Sequence, residues 1–519
     1  THDGPQLTFS DVNRSTNRIA WGLLQRGVRK GQRIAILMKN SLAHVYVWLA
    51  CAKIGAVDVP INVSYKGEFL KHQLNQCRAS ILVADTDVLD SVSAIAPDLS
   101  WLQTVIVYGD EPNRELSCQL GGRFELHRYE KLDAHREGNP GVEVAPWEPA
   151  SVMFTSGTTG LSKGAILSHA HLYFFSEQTL QLHELGPDDV YLNPFPLFHG
   201  SGRVHGVYPS LIAGCRCVLY EKFSARQFLD RAYGSGGTVS NLLGGMIPLL
   251  SDLPPTSRDR GHSLRSILAT PVPYSIVDGF KERYEIADVL EVIGMTETCW
   301  PIITPRNSRP PKGAAGLLAA EWYETKIADP ETDEEVAVGQ VGELLVRNRI
   351  PWTISLGYEN MPDQTVETWR NLWFHTGDAV KRDADGWYYF VDRIKDSIRR
   401  RGESVSSFEV ERQLLAHPQI ADAAVVAVRP DAAINDDEIK AYIIPSAEAD
   451  LDLSVLVKWC ESRLPHFAVP RYYEFVTELP KTPTGKVRKA VLREKGLNGK
   501  TWDRLSAGVL LSRESASRS

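Results

Sequence analysis

The sequence predicts an α/β protein: a large N-terminal domain of parallel-rich sheets flanked by helices, followed by a small α+β C-terminal domain. The chain has 519 residues, which is enough for more than one domain. Short apolar runs alternate with helical segments in the first half, as in crossover units that join parallel strands. This pattern breaks near residue 393 and then starts again.

The first half alternates helices and strands in a regular order. Apolar residues recur at helical spacing in some segments and form short continuous runs in others. We predict a helix over 9–26, a strand over 33–38, a helix over 42–54, an extended segment over 57–61, a helix over 69–77 and a strand over 81–84. Buried strands separated by helices indicate a parallel sheet.

The boundary between the domains follows an aromatic strand. Residues 383–386, Asp-Ala-Asp-Gly, predict a turn, and the aromatic run 387–391 predicts a strand after it. A charged link comes next, so we predict domains over 1–394 and 395–519. In the second domain we predict a helix over 408–416, strands over 423–428 and 438–444, a helix over 453–464 and a polar tail after residue 511.

The composition excludes several classes of protein. With 57 basic and 64 acidic residues the net charge is −7, which gives no global attraction for nucleic acid or anionic lipid. Seven scattered cysteines do not form a disulfide framework and favour a reducing compartment. The most apolar stretch, 45–61, contains Lys53 and Asp58 and is too short to span a bilayer. We expect a cytoplasmic protein without nucleic-acid or membrane partners.

A glycine-rich loop over 155–164 is the strongest local signal. Its glycines let the backbone approach a ligand closely, and its hydroxyls and lysine suit a polyphosphate. The candidate ligand-binding residues are Thr155, Ser156, Gly157, Thr158, Thr159, Gly160 and Lys163. The order of residues differs from a Walker A loop, and the glycine spacing differs from a dinucleotide fingerprint. The alternative is a flexible surface turn.

The loop resembles the phosphate-binding signature of the adenylate-forming superfamily, which includes acyl-CoA synthetases, luciferases and the adenylation domains of nonribosomal peptide synthetases. Further motifs follow in the family's order from Leu7 to Arg493. Segments 221–225 and 400–403 are similar to the branch of carnitine-type acid–CoA ligases. The resemblance implies a large N-terminal domain and a small, mobile C-terminal domain.

Residues 293–297, Ile-Gly-Met-Thr-Glu, resemble a second motif of the family. The resemblance implies that Thr296 contacts the α-phosphate of ATP and that Glu297 holds Mg²⁺. Carboxylates are natural ligands for such a hard cation. Ile293 stands where the family usually has an aromatic residue that stacks near adenine.

Three further motifs lie later in the chain. Residues 373–378 resemble the ribose motif, which implies that Asp378 accepts hydrogen bonds from the ribose hydroxyls, with Arg393 as the second ribose residue. Lys395 stands at the family's hinge. Lys486 lies in a Pro/Gly-framed segment that resembles the C-terminal catalytic motif, and it is the expected catalytic lysine.

The acid pocket is predicted from the same resemblance. His199, in the segment Phe-Pro-Leu-Phe-His-Gly, resembles the family's acid-pocket motif and is a candidate catalytic residue. Further candidates near the acid or adenine are Met246, Thr270, Pro271, Met295 and Trp300. This largely apolar set suits an aryl or other hydrophobic acid. His205 is either a base or a core histidine.

The implied reaction is ATP-dependent activation of a carboxylic acid to an acyl-adenylate, followed by transfer of the acyl group. CoA is the leading acceptor, and the triple arginine Arg399, Arg400 and Arg401 either meets CoA phosphates or forms a solvated face. The alternative is an amide bond synthetase that passes the acyl group to an amine. Luciferase-like oxidation and a non-catalytic nucleotide-binding relative are further alternatives.

Overall fold

A computed structural model of the chain describes residues 4–155, 162–243, 246–270, 272, 274, 276–394, 397–400, 403–430, 436–446, 451–480, 487 and 489–512. Two compact units are distinguished within it. The first comprises residues 1–63, 73–154 and 164–392, and the second comprises residues 64–72, 155–163 and 393–519. In the described part of the chain, no helix is long and apolar enough to cross a membrane.

The strands are β1 (Arg33–Leu37), β2 (Val57–Pro60), β3 (Ile81–Asp85), β4 (Thr104–Tyr108), β5 (Glu125–Arg128), β6 (Pro149–Thr155), β7 (Lys163–Ser168), β8 (Val190–Asn193), β9 (Arg216–Leu219), β10 (Val239–Leu243), β11 (Ser266–Thr270), β12 (Asp288–Leu290), β13 (Val292–Met295), β14 (Cys299–Ile303), β15 (Leu317–Leu318), β16 (Tyr323–Ala328), β17 (Gly342–Asn348), β18 (Phe374–Arg382), β19 (Tyr388–Arg393), β20 (Ser397–Arg400), β21 (Glu403–Ser406), β22 (Ile420–Val428), β23 (Glu438–Pro445), β24 (Tyr472–Phe475) and β25 (Trp502–Asp503).

The α-helices are α1 (Phe9–Gln25), α2 (Leu42–Ile54), α3 (Gly67–Gln76), α4 (Leu89–Ser93), α5 (Arg114–Gly121), α6 (His169–His183), α7 (Gly200–Gly202), α8 (Tyr208–Ala213), α9 (Ala225–Ser235), α10 (Met246–Ser251), α11 (Val277–Tyr284), α12 (Pro362–Thr368), α13 (Ser407–Leu415), α14 (Leu453–Arg463) and α15 (Lys489–Glu494). Short 3₁₀ segments also occur, and residues Arg203–Val207 form one π-helical turn between α7 and α8.

Two parallel-rich sheets form the frame of the first unit. The larger sheet has the strand order β5-β4-β3-β1-β2-β6-β7, and the pairs from β5 through to β6 are parallel. The second sheet has the order β12-β11-β10-β8-β9, with every pair parallel. Parallel pairing requires helical crossovers, which explains the alternation of apolar runs and helical segments in the sequence.

Two smaller sheets of the first unit carry the predicted nucleotide residues. Strands β13, β14 and β15 form an antiparallel sheet, and its first turn contains Thr296 and Glu297. Strands β16, β17, β18 and β19 form a second small sheet, and β18 contains Asp378. These turns and strand ends are where side chains can approach a ligand without unpairing the sheet.

The predicted elements of the first half are confirmed to within about three residues at their ends. The helix over 42–54 has the predicted bounds, because Ser41 caps its first turn and Gly55 ends it in the left-handed conformation at φ 67°. The helix predicted over 9–26 spans Phe9–Gln25 and begins with a capping box between Thr8 and Asp11. The sheets confirm the parallel-rich fold class.

The second unit is built around an antiparallel-rich sheet. Its order is β22-β23-β24-β25, and only the pair of β23 and β24 is parallel. Helices α13, α14 and α15 belong to the same unit, and β20 and β21 form a separate hairpin. Lys440 is fully buried in this sheet, where Nζ donates to Glu474 at 2.6 Å and Thr501 at 2.8 Å. The elements predicted over 408–464 are confirmed.

A buried ion pair connects β2 of the larger sheet with the π-helical turn. Arg203 pairs with Asp58, and the two side chains are 0% and 2% exposed. Arg203 also donates from Nε to the Leu197 carbonyl at 2.5 Å and from Nη2 to His44 Nε2 at 3.2 Å. Its guanidinium lies 4.7 Å from the centre of the Trp48 ring. These partners offset part of the cost of removing the two charges from water.

His44 is neutral in this network. Burial, together with the neighbouring positive charge of Arg203, lowers the pKa of His44 to about 3. The ring donates from Nδ1 to the Met38 carbonyl at 3.1 Å, which leaves Nε2 to accept from Arg203. The imidazole therefore serves as a hydrogen-bond acceptor for a buried cation and adds no second positive charge.

Replacing Asp58 should destabilise the first unit strongly. In Asp58→Asn the Arg203 cation stays buried without a counter-charge, and we expect a loss of about 3–5 kcal/mol in urea unfolding followed by tryptophan fluorescence. The double variant Asp58→Leu/Arg203→Met removes both charges and should be more stable than the single variant. Equal stability of Asp58→Asn and the unchanged protein would contradict this role.

Candidate active site

The turn between β13 and β14 brings Thr296 and Glu297 to the end of a tight hairpin. Gly294 cannot be replaced by a larger residue here, because an added Cβ would lie 1.9 Å from the Cys299 carbonyl oxygen. Cys299 itself has a φ of 61°, and the Thr298 amide donates to the Met295 carbonyl at 3.2 Å. The close approach of the two strands fixes the direction in which the turn projects.

Glu297 is buried and held at both its backbone and its carboxylate. The Tyr358 hydroxyl donates to Oε1 of Glu297 at 2.9 Å, and the Ser355 amide donates to the Glu297 carbonyl at 2.8 Å. The side chain of Glu297 is only slightly exposed, whereas Thr296 beside it is half-buried. One carboxylate oxygen is thus oriented by a neutral hydroxyl, which leaves the charge of the carboxylate uncompensated by that contact.

Helix α6 supports the hairpin through side chains on one face. His171 Nε2 donates to the Thr296 carbonyl at 2.9 Å, and burial lowers the pKa of His171 to about 4, so the ring is neutral. Gln178 lies two turns further along and holds Trp300 twice, donating to its carbonyl at 3.0 Å and accepting from its amide at 3.0 Å. These hydrogen bonds fix the position of the β13–β14 hairpin relative to helix α6.

Asp378 lies on β18 and is 3% exposed. Its backbone amide donates to Thr376 Oγ1 at 3.0 Å, and that hydroxyl donates to the Leu344 carbonyl at 2.7 Å on β17. Gly377, between them, has a φ of 69°, which other residues rarely adopt. The backbone of β18 is therefore held in one conformation at Asp378.

Glu343 anchors the segment that contains Asp378. Its Oε1 accepts from the Gly377 amide at 2.9 Å, and its Oε2 lies 3.0 Å from His375 Nδ1. Glu343 thereby positions the strand that carries the predicted ribose residue, a role that the sequence did not indicate.

The other candidate residues that the structure describes lie on several different elements. His199 is exposed and caps α7, with Nδ1 accepting from the Ser201 amide at 3.1 Å. Thr155 ends β6 and Lys163 begins β7, and Thr155 Oγ1 donates to the Lys163 carbonyl at 3.4 Å. Thr270 ends β11, Arg393 ends β19, Met246 begins α10, Met295 ends β13 and Ile293 is buried in the core.

Several candidates lie outside the described residues. They are Ser156, Gly157, Thr158, Thr159, Gly160, Pro271, Lys395, Arg401, Gly402 and Lys486. Their predicted roles stay predictions.

The structure corrects the interpretation of Arg400. The sequence suggested either a contact with CoA phosphates or a solvated face for the triple arginine, but Arg400 is 1% exposed. It donates to the carbonyls of Phe467 at 3.0 Å and Val469 at 2.8 Å, and it pairs with Glu438 at 2.8 Å. The side chain belongs to the core of the second unit, where two carbonyls and one carboxylate surround its terminal nitrogens.

Three supporting residues were missed in the sequence: Gln178, Arg203 and Glu343. Each acts through hydrogen bonds with residues far along the chain, which no local pattern reveals. One signal was available, since Asp58 interrupts an apolar segment and a charge in such a place indicates a buried partner. The partner itself, Arg203, could not be chosen from the sequence.

The amino-acid sequence matches the models of a known family. The AMP-binding enzyme model matches residues 1–358, and the model of the AMP-binding enzyme C-terminal domain matches residues 409–486. The chain belongs to the AMP-binding enzyme family. It is an ATP-dependent ligase of the adenylate-forming superfamily and forms AMP and pyrophosphate.

Curated relatives extend the similarity over nearly the whole chain. The crotonobetaine/carnitine–CoA ligase of Salmonella typhi is 32% identical over 499 residues, which cover 94% of this chain and 93% of the relative. The protein of the same name from Salmonella enteritidis shows the same identity and coverage. The chain is thus similar over nearly its whole length to carnitine-type acid–CoA ligases, the branch whose motifs the sequence resembles.

Solved structures give a second comparison. The amide bond synthetase McbA from Marinactinospora thermotolerans superposes with a TM-score of 0.82 at 25% identity, covering 95% of this chain and 96% of McbA. The anthranilate CoA ligase AuaEII, solved with anthranoyl-AMP, superposes with a TM-score of 0.66 at 26% identity, covering 95% and 92% of the two chains. Both a CoA ligase and an amide bond synthetase therefore share this architecture.

Buried neutral histidines should make the fold sensitive to acid. Burial lowers the pKa of His171 to about 4 and those of His44 and His183 to about 3, whereas an unfolded histidine titrates near 6.5. Because the pKa values in the folded protein are lower than in the unfolded chain, the folding stability present above pH 6.5 is lost as the pH falls toward 4. Each histidine should contribute a loss of about 2 kcal/mol between pH 7 and pH 5.

The measurement is urea unfolding at pH 7 and pH 5. The variant His171→Gln keeps a side-chain donor for the Thr296 carbonyl but cannot titrate, so its stability should change less between the two pH values. The surface variant His127→Gln serves as the control and should keep the full change. An identical change in His171→Gln and in the unchanged protein would refute the assignment.

Proposed function

We propose that this enzyme activates an aryl or other hydrophobic carboxylic acid as its acyl-adenylate and transfers the acyl group to CoA. The observation that carries the proposal is the 32% identity to a crotonobetaine/carnitine–CoA ligase over 94% of the chain. The acid of that relative is not carried over, because the residues predicted to line the acid pocket, such as Met295 and Trp300, are largely apolar.

In the first step, a carboxylate oxygen of the acid attacks the α-phosphorus of ATP. A new phosphorus–oxygen bond forms, the bond to the bridging oxygen breaks, and pyrophosphate leaves with the electron pair. Thr296 would contact the α-phosphate, and Lys486 would neutralise charge on the carboxylate and on the transition state. The support for these roles is the match of each residue to its family motif.

The nucleotide would be held by groups from several elements. By their family motifs, Asp378 would accept hydrogen bonds from the ribose hydroxyls, Arg393 would be the second ribose residue, and the loop from Thr155 to Lys163 would bind the phosphates. Thr270 and Pro271 would lie along the adenine. Thr376 and Glu343 hold the backbone at Gly377 and Asp378, and a constant backbone position supports the ribose role of Asp378.

Glu297 fits the requirements of a Mg²⁺ ligand. Its carboxylate supplies hard oxygen donors, and the Tyr358 hydroxyl orients it without neutralising its charge. A magnesium ion bound there would stabilise negative charge on the phosphates during pyrophosphate release.

In the second step, the thiol sulfur of CoA attacks the carbonyl carbon of the acyl-adenylate. The thiol gives up its proton to a base, the carbon–sulfur bond forms, and the carbon–oxygen bond to AMP breaks. AMP is a good leaving group because the acyl-adenylate is a mixed anhydride. The second step therefore depends mainly on positioning the acceptor and requires little further activation of the acyl group.

A second candidate function is transfer of the acyl group to an amine. It is supported by the similarity to the amide bond synthetase McbA, which superposes with a TM-score of 0.82. The burial of Arg400 also removes one of the predicted contacts with CoA phosphates. Every nucleotide residue would keep its role in this reaction.

The deciding experiment supplies ATP, Mg²⁺ and a panel of aryl and alkyl acids, each with CoA, with simple amines and with neither, and identifies products by mass spectrometry. We expect a thioester when CoA is present. An amide without a thioester would replace CoA by an amine as the acceptor. Acyl-adenylate formation should be lost in Glu297→Gln and kept in Glu367→Gln, a matched control on the surface of α12.

Removing the Tyr358 hydroxyl should weaken the first step without unfolding the enzyme. In Tyr358→Phe the Glu297 carboxylate loses its orienting donor, and we expect about a tenfold lower rate of acid-dependent pyrophosphate release with a higher Mg²⁺ requirement. Tyr389→Phe, which loses a hydroxyl bonded to Asp383 in the turn before β19, is the control. An unchanged Mg²⁺ requirement in Tyr358→Phe would argue against the orienting role.

A further inference from the structure

Three rings pack against one another beside the candidate active site. The ring centre of His205 lies 4.4 Å from that of Trp300 and 4.7 Å from that of Phe175, and the centres of Phe175 and Trp300 are 5.2 Å apart. We call these three residues the ring cluster. All three are buried, so the cluster is a largely apolar wall whose polar atoms are the two ring nitrogens of His205 and the indole nitrogen of Trp300.

One of those nitrogens is left unused. His205 is 8% exposed, and its Nε2 is buried without a hydrogen-bond partner among the described residues. Burial and the nearby His199 hold the pKa of His205 well below its usual range, so the ring is neutral and has one donating and one accepting nitrogen. Leaving such an atom unpaired is unfavourable, and native proteins rarely do so without a reason.

The position of His205 is fixed by its neighbours. It lies in the π-helical turn, directly after the residue pair Arg203 and Val204, and Arg203 is tied to Asp58. On the other side, Gly206 packs so closely that an added Cβ would lie 2.4 Å from the Asn193 amide nitrogen. Single π-helical turns are frequent at functional sites. These contacts therefore fix the position of the His205 ring and of its unpaired nitrogen.

The ring cluster is continuous with the turn that carries Thr296. Phe175 lies one helical turn after His171 on α6, and their ring centres are 6.0 Å apart. His171 donates to the Thr296 carbonyl, while Trp300 is held on β14 by Gln178. The side chain of His171 therefore connects the ring cluster to the turn that carries Thr296.

We propose that His205 is a specificity residue that hydrogen-bonds through Nε2 to a hydroxyl or N–H substituent of a planar aryl acid packed against the ring cluster. The proposal rests on the proposed acid activation. Trp300 and Phe175 select a flat apolar ring by contact area, and His205 selects among such rings by their polar substituent. An acid without the substituent would leave the buried nitrogen unpaired and bind less well.

The test compares matched pairs of acids that differ only in one substituent. Benzoate and cinnamate are each compared with their ortho, meta and para hydroxy derivatives, and indole carboxylates with their N-methyl forms. The readout is kcat/KM for acid-dependent pyrophosphate release. We expect at least one polar isomer to be preferred about tenfold or more, mainly through KM. The absence of any such preference would overturn the proposal.

Two substitutions assign the preference to His205. His205→Phe keeps a ring in the cluster but has no nitrogen, and it should abolish or reverse the preference. His205→Gln keeps a hydrogen-bonding group and should retain part of it, which a purely structural role would not explain. His127→Phe, the same change on the protein surface, should leave the preference intact. A preference that persists in His205→Phe would overturn the proposal.

Calorimetric binding of the same acid pairs separates this inference from the function on which it rests. If no acid releases pyrophosphate from the unchanged enzyme, the proposed function fails. A hydroxyl preference in binding that is lost in His205→Phe would still support the recognition role, and equal binding of both acids would reject it. Thermal unfolding of each variant checks that the fold is retained.

Discussion

The ion pair between Asp58 and Arg203 is the constraint on which the arrangement of the first unit depends. Its partners are 145 residues apart, one on a strand of the larger sheet and the other on the π-helical turn between α7 and α8. Both charges are removed from water, so neither residue can shift without leaving the other uncompensated. The turn that carries His205 is therefore held against the larger sheet by a contact that tolerates little displacement.

Buried polar contacts also hold the two segments that carry the predicted nucleotide residues. His171 and Gln178 hold the β13–β14 hairpin through backbone atoms of Thr296 and Trp300, and Glu343 holds the strand of Asp378 through the Gly377 amide. In each case a buried polar side chain bonds to backbone atoms of a segment that carries a predicted site residue. Such support fixes the backbone and leaves the predicted site residue's own side chain out of the contact.

The choice of acceptor depends on different parts of the chain from the activation of the acid. The nucleotide motifs are shared by CoA ligases and amide bond synthetases, so they define the first step and say nothing about the second. Arg400 shows why the acceptor is hard to predict from the sequence. A run of arginines suggests phosphate binding in a sequence, yet three acceptors around Arg400 make it a core residue.

By itself, the sequence determined the helices and strands predicted over 9–84 and 408–464, the parallel-rich fold class and the adenylate-forming family, and its motifs predicted Thr296, Glu297 and Asp378 as site residues. These follow from local periodicity and short motifs, which depend on neighbouring residues along the chain. Only the tertiary structure decided that Arg203 pairs with Asp58, that Glu343 supports Asp378 and that Arg400 is buried. The physical reason is that a buried polar group is stable only with its partners, and folding selects those partners from distant parts of the chain.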